Sequence, residues 1–151
     1  MIRVMFVCHG NICRSPMGEF ILKDLLQKNG LEGHTVASSA VSREEIGNPV
    51  YPPARRELAR HGISCEGKTA VQLTRSDYDR YDLFLVMDQS NLLHICRIFP
   101  EDPGHKIHRL LEFAGRPQED VDDPWYTRNF SKAYDDILAG CQGLLEVMRH
   151  D

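Results

Sequence analysis

Cys8 and Arg14 place a sulfur nucleophile and a planar cation six positions apart, within the segment Cys8-His9-Gly10-Asn11-Ile12-Cys13-Arg14-Ser15-Pro16. The guanidinium fork of Arg14 can hold two oxygens of one tetrahedral anion. Gly10 and Asn11 tolerate the positive φ angles of a loop whose backbone N–H groups point inward as an anion-binding nest. A helix starting at or near Pro16 adds positive partial charge at its N-terminus. In such a field Cys8 is favoured as the thiolate, the form that attacks phosphorus. Ser15 supplies a hydroxyl that can donate to the sulfur and ease its departure in a second step. Alone, Cys8 would read as a buried structural cysteine, a common fate for a free thiol; its combination with Gly10-Asn11, Arg14 and Ser15-Pro16 favours chemistry. Zinc binding by Cys8 and Cys13 would need two further ligands at finger-like spacing, which the chain lacks. No metal or other cofactor is expected.

Attack by a thiolate expels an oxygen leaving group that needs a proton, and the covalent product needs an activated water. One carboxylic acid that starts protonated can serve both steps. The candidates lie in Asp122-Asp123-Pro124-Trp125-Tyr126. Adjacent carboxylates, an anionic sulfur and a bound phosphate all disfavour ionisation of both. On these residues alone, a turn-forming Asp-Pro without a catalytic role is an equal reading. Trp125 and Tyr126 either line a cleft or pack on the core.

Placing these groups together requires a scaffold, and the apolar periodicity supplies one. Residues 2–7 read as a buried strand ending directly before Cys8, and 16–28 as a helix stopped by Asn29-Gly30. A short strand over 35–38, a loop over 39–47 and a helix over 53–61 closed by Gly62 follow. Residues 81–88 are the clearest buried strand; 89–98 read as a helix, 106–111 as a fourth strand, 115–128 as a loop and 131–148 as the last helix. This alternation predicts a single α/β domain: a four-stranded parallel sheet with helices on both faces and the phosphate loop between the first strand and first helix. Ligands in such folds sit at the carboxyl ends of the strands, where Cys8 falls.

The chain has 151 residues, enough for one ordinary core. Hydrophobic residues make up 42% and charged ones 26%, with a formal net charge of −4. That balance argues against a nucleic-acid binder but leaves room for a small anion caught by a local field. Five cysteines without a secretion signal fit a reduced, cytoplasmic protein, with Cys65, Cys96 and Cys141 expected to be structural. No segment reaches membrane length, so no membrane partner is expected. The sequence assigns no oligomeric state.

At Val7-Cys8-x-Gly10-Asn11-Ile12-Cys13-Arg14-Ser15-Pro16 the chain resembles the phosphate-binding loop of low-molecular-weight protein-tyrosine phosphatases. Ser38, His61-Gly62, Met87-Asp88 and the Asp-Pro-aromatic segment follow in the family's order, so the resemblance covers nearly the whole chain. It implies hydrolysis of phosphotyrosine in protein substrates through a phosphocysteine on Cys8, with Arg14 clamping phosphate. Because the family's acid directly precedes the proline, the resemblance selects Asp123, with Asp122 the fallback. It places Trp125 and Tyr126 at the cleft walls, makes Asn11, Ser38 and His61 a network supporting the loop, and sets Asp88 near Arg14. Cys13 is implied as a partner that traps oxidised Cys8 as a reversible disulfide. His9 departs from a position often apolar in the family, which leaves substrate choice open. Three alternatives share features of the loop: a phosphoarginine phosphatase, disfavoured by Ile12; an arsenate reductase, which needs a cysteine relay that Cys65 and Cys96 are not spaced to form; and a non-catalytic phosphate-binding module.

Overall fold

The computed structural model describes residues 1–151. Its strands are β1 (Arg3–Cys8), β2 (Thr35–Ala40), β3 (Leu83–Val86) and β4 (Ile107–Arg109), all parallel and ordered β2-β1-β3-β4. The helices are α1 (Arg14–Lys28), α2 (Pro52–Arg60), α3 (Gln89–Ile98), the single turn α4 (Pro124–Thr127) and α5 (Phe130–Arg149). Two 3₁₀ turns, Arg75–Asp79 and Leu110–Ala114, complete the framework. No helix is long and apolar enough to cross a membrane.

Side-chain alternation in β1 explains why helices lie on both faces of the sheet. Val4, Phe6 and Cys8 point into the larger core with residues of α1, α2 and α5 such as Met17, Leu58 and Ile137. Met5 and Val7 point the other way, into a smaller core with Phe84, Val86 and, from α3, Ile95. A central strand buried on both faces reads as a continuous apolar run, as residues 2–7 do. The period of two fixes Cys8 on the α1 side, at the carboxyl edge.

The expected elements are present, with informative shifts. Helix α1 begins at Arg14 and not at Pro16, so Arg14 sits in the first helical turn, with Pro16 still inside the turn where a missing N–H costs nothing. Strand β2 runs on to Ala40, because Ser39 and Ala40 pair with Val7 and Cys8. Strand β4 is shorter than the expected 106–111. Both Leu110 and Leu111 are buried in the larger core, which a strand could not achieve since neighbours would face opposite sides; a 3₁₀ turn satisfies both. That turn ends at Gly115, whose φ of 74° requires the left-handed region. The segment read as loop over 115–128 holds α4, and Cys96, expected to be structural, is exposed.

Helix α5 approaches the Leu110–Ala114 turn so closely that only glycine fits at two positions. A Cβ on Gly143 would fall on the backbone carbonyl of Phe113, and one on Gly140 would meet the Leu110 side chain. Backbone cannot yield as a flexible side-chain end does. Gly143→Ala should therefore destabilise the protein by about 2–3 kcal/mol in urea unfolding. A midpoint equal to wild type would show that α5 can slide at no cost.

Candidate active site

The loop between β1 and α1 is shaped by one unusual backbone conformation. Asn11 has φ of 60°, in the left-handed region that asparagine tolerates. Gly10, expected to share that requirement, does not adopt positive φ. Its missing side chain instead leaves room for Glu45, whose Cγ would lie 3.2 Å from a Cβ placed there.

The sulfur of Cys8 lies 2.9 Å from Ser15 Oγ, and the Ser15 N–H donates to it at 3.4 Å. Both donors belong to the first turn of α1, so the helix terminus and a hydroxyl converge on one atom. The Arg14 side chain is only 3% exposed. Its Nη1 donates to Asp88 Oδ2 and to the Val121 carbonyl, both at 2.7 Å, and its Nη2 to Asp123 Oδ2 at 3.3 Å. Burial opposes the charge of this guanidinium, but the negative neighbours Cys8, Asp88 and Asp123 outweigh burial and hold it protonated beyond the ordinary arginine range. Asp88 also caps α3, accepting from Asn91 N–H at 2.7 Å, so capping and the contact to Arg14 coexist on its two oxygens.

Asp123 caps α4 in the same manner: Oδ1 accepts the Trp125 N–H at 3.0 Å while Oδ2 faces Arg14. Asp122 is exposed, and its nearest cation is Lys132 at 3.6 Å, away from the loop. A cleft of about 240 Å³ is lined by Cys8, Arg14 and Asp123 at its base and by His9, Glu44, Glu45, Trp125 and Tyr126 toward its mouth, with Gly10, Ile12 and Cys13 between. Both aromatics thus border the cleft. Trp125 leans on Tyr51 at 4.7 Å between ring centroids, and Arg128 donates to the Tyr51 hydroxyl, whereas Tyr126 is 81% exposed. His9 Nε2 donates to Glu44 Oε2 at 2.8 Å, joining the loop to the segment after β2. Cys13 is buried, and burial together with the negative charges of Cys8 and Asp123 pushes its thiol well above the ordinary range, so it stays protonated at neutral pH.

Residues 3–151 match the family model described as "Low molecular weight phosphotyrosine protein phosphatase". The chain belongs to that family. It is 42% identical to the low molecular weight protein-tyrosine-phosphatase YfkJ of Bacillus subtilis (strain 168), over 100% of this chain and 98% of that protein. The crystal structure of YfkJ superposes with a TM-score of 0.93 at 39% identity, over 99% of this chain and 96% of the other. PtpA of Staphylococcus haemolyticus is 36% identical over 100% of this chain and 96% of its own. Vibrio vulnificus Wzb in complex with benzylphosphonate matches with a TM-score of 0.84 at 31% identity, covering 96% and 97% of the two chains. This low molecular weight phosphatase is therefore an enzyme acting on phosphotyrosine in proteins.

The support beneath the phosphatase loop differs in part from the sequence expectation. The Asn11 amide is fully used: Oδ1 accepts the Val71 N–H at 3.1 Å, and Nδ2 donates to Ser15 Oγ at 2.8 Å and Ser38 Oγ at 2.9 Å. His61, expected in this network, makes no hydrogen bond to it. It bonds Glu57 at 3.1 Å and stacks on Tyr134 at 3.7 Å, because the end of α2 faces α5 and not the loop. The polar contacts below Ser38 come from two residues with no motif around them. Ser38 donates to Glu19 at 2.6 Å, and Lys68 donates to the Ser38 carbonyl at 2.9 Å. Glu19 is four residues past Ser15, so it falls on the same face of α1, a signal that only knowledge of that face's burial would reveal.

Removing the Asn11 side chain leaves two buried hydroxyls, on Ser15 and Ser38, short of a donor and the part-buried Val71 N–H without its acceptor, each buried loss costing about 1–3 kcal/mol where no water replaces it. Asn11→Ala should lower both the thermal midpoint and turnover. Asn11→Gly, which relaxes the φ of 60°, should recover part of the stability and little of the turnover. Equal recovery of both in the glycine variant would mean that backbone conformation alone holds the loop.

Proposed function

We propose that the enzyme hydrolyses phosphotyrosine and other aryl phosphates through a phosphocysteine on Cys8, with Asp123 as general acid and then general base. The observation that carries this reading is the convergence on one cleft of three groups: the Cys8 sulfur with two donors from Ser15, the buried Arg14 fork, and the Asp123 carboxyl.

In the first step the Cys8 thiolate forms an S–P bond as the P–O bond to the aryl group breaks. Asp123 gives its proton to the departing phenolate oxygen. Arg14 and the loop N–H groups hold the three equatorial oxygens, where charge accumulates in the transition state. In the second step the Asp123 carboxylate takes a proton from water, the water oxygen bonds to phosphorus and the S–P bond breaks. Sulfur leaves as thiolate, and the Ser15 hydroxyl and N–H accept its returning charge as hydrogen-bond donors. The starting protonation of Asp123 follows from the exchange of partners on Arg14. A phosphate dianion entering the cleft takes the guanidinium for itself, and its charge then favours the neutral acid beside it.

Trp125 and Tyr126 at the mouth provide flat apolar surface for an aryl ring, where ring contacts add about 0.5–1.5 kcal/mol beyond area. That V. vulnificus Wzb forms a complex with benzylphosphonate supports a ligand that joins an aromatic ring to a phosphate-like group. Ile12 on the cleft wall favours phosphotyrosine over phosphoarginine. An arsenate reductase would need a relay of thiols from Cys8, yet Cys65 lines a separate groove beyond α2 and Cys96 is exposed on α3. Cys13, buried in the loop itself, is suited to a different role: peroxide converts the Cys8 thiolate to a sulfenic acid, and the Cys13 thiol condenses with it to a disulfide, releasing water.

Side-by-side assays on p-nitrophenyl phosphate, a phosphotyrosine peptide, phosphoarginine and arsenate test the substrate class. Turnover of the first two alone is expected, and none by Cys8→Ser. Asp123→Asn should lower kcat on the peptide by about 10²–10⁴-fold while Asp122→Asn stays near wild type; the reverse order would reassign the acid.

Peroxide should abolish activity, and a dithiol should restore it in wild type but not in Cys13→Ser. Equal recovery in that variant removes the disulfide from the account.

A further inference from the structure

Two buried charges beneath the loop have no part in the reaction as written. Glu19 is 5% exposed on the inner face of α1. The Lys68 side chain is 12% exposed on the segment after α2, with Nζ 3.6 Å from Glu19 Oε1 and donating to the Ser38 carbonyl. Burying two ions is costly unless they are paired and hydrogen-bonded, as these are. An apolar pair would fill the same space without that cost, so their polarity calls for a reason.

Hydrogen-bond directions supply one. The Val71 N–H can only donate, which fixes Asn11 with Oδ1 toward it and Nδ2 toward Ser15 and Ser38. An ionised Glu19 can only accept, so the Ser38 proton points to it and the Ser38 oxygen is free to receive Asn11. Ser15, also receiving from Asn11, has its own proton left for the Cys8 sulfur. The carboxylate of Glu19 thus terminates a chain of polar groups that starts at the nucleophile. Lys68 places the opposite charge at the same end.

We propose that Lys68 and Glu19 are positioning residues for the nucleophile: a buried charge pair beneath the loop whose cation favours the thiolate form of Cys8 and whose anion opposes it. The proposal rests on the reading of Cys8 as the nucleophile. Burial lowers the tendency of Lys68 to hold its proton, and the neighbouring Glu19 opposes that shift without reversing it. Other groups share the cleft with the sulfur: Arg14 and Cys13 from the loop and α1, and Asp123 at the start of α4, while Asp88 at the start of α3 stands against Arg14. His9, Glu44 and Glu45 stand at the cleft mouth, and Lys23 on α1 pairs with Glu19 from the solvent side. Apart from Lys23, which loses its partner in Glu19→Gln and then adds to the expected acceleration, none of these is altered in the variants below, so their fields cancel in a ratio to wild type.

The test is the rate at which iodoacetamide alkylates Cys8 at mildly acidic pH, resolved by peptide mapping because Cys96 is exposed. That rate follows the thiolate fraction. Lys68→Met should slow it about fivefold and Glu19→Gln should speed it by a similar factor, as expected for one buried charge acting across a protein interior. Gln keeps an oxygen to accept from Ser38, and Lys68→Arg, which keeps the charge, should stay within about twofold of wild type. The acid limb of kcat/KM against pH should move in the same two directions. A purely structural pair would loosen the loop in both variants and move both rates the same way, or leave both near wild type; either result overturns the proposal. If Lys68→Met does not fold, the sign in Glu19→Gln decides alone, faster supporting and slower or unchanged overturning. Failure of the nucleophile reading is seen separately, as wild-type Cys8 that resists alkylation at every pH.

Discussion

A guanidinium almost wholly removed from water organises this molecule. Arg14 retains its charge because two segments far apart in sequence bring it three oxygens: one from Asp88 at the start of α3, two from Val121 and Asp123 in the loop before α4. Taking away one partner of such a buried ion costs about 3–5 kcal/mol, because the remaining charge is left uncompensated. The pairing therefore has a structural consequence. It fixes the first turn of α1 against the carboxyl edge of the sheet and draws the loop that carries Asp123 over the cleft. Val121 reinforces this by donating its N–H to the Met87 carbonyl, the residue before Asp88.

The sheet makes this convergence possible through its order. With β1 between β2 and β3, the loop after β1 is flanked by Ser38–Ala40 on one side and Met87–Asp88 on the other. Ser38 reaches Asn11 from the first side and Asp88 reaches Arg14 from the second. A loop closed by backbone alone would be free to collapse on itself. Here side chains from both neighbours hold it open, and the interior of the nest is left to an anion.

How much of this could be read from the chain depends on whether a residue's meaning is local. The reading of Cys8 and Arg14 rests on neighbouring letters, a glycine-asparagine pair and a serine-proline before a helical run, whereas an aspartate before proline reads equally as a turn and Asp123 is selected only by the family resemblance. The β1 strand announces itself by being apolar on both faces. His61 misleads because a histidine before glycine at a helix end looks the same whichever way the helix faces, and α2 turns it toward Tyr134. Glu19 and Lys68 are invisible for the converse reason, since charged residues are ordinarily solvated and nothing adjacent marks these two as buried. The shortening of β4 is likewise a tertiary decision, made by a core that takes both Leu110 and Leu111.

The two carboxylates on Arg14 are not equivalent, and their inequality gives the proposed reaction its order of events. Asp88 sits 2.7 Å from the guanidinium, is 19% exposed, and is anchored as the cap of the ten-residue helix α3. Asp123 sits at 3.3 Å, is 26% exposed, and caps a single turn of four residues. The longer, more solvated contact on the shorter element is the weaker one, so in the proposed reaction an entering dianion displaces Asp123 and leaves Asp88 in place. Asp88 then continues to aim the fork, while Asp123, relieved of its cation, is free to turn to the leaving group. In that proposal, binding the substrate and releasing the acid are one event, driven by competition for a single buried charge.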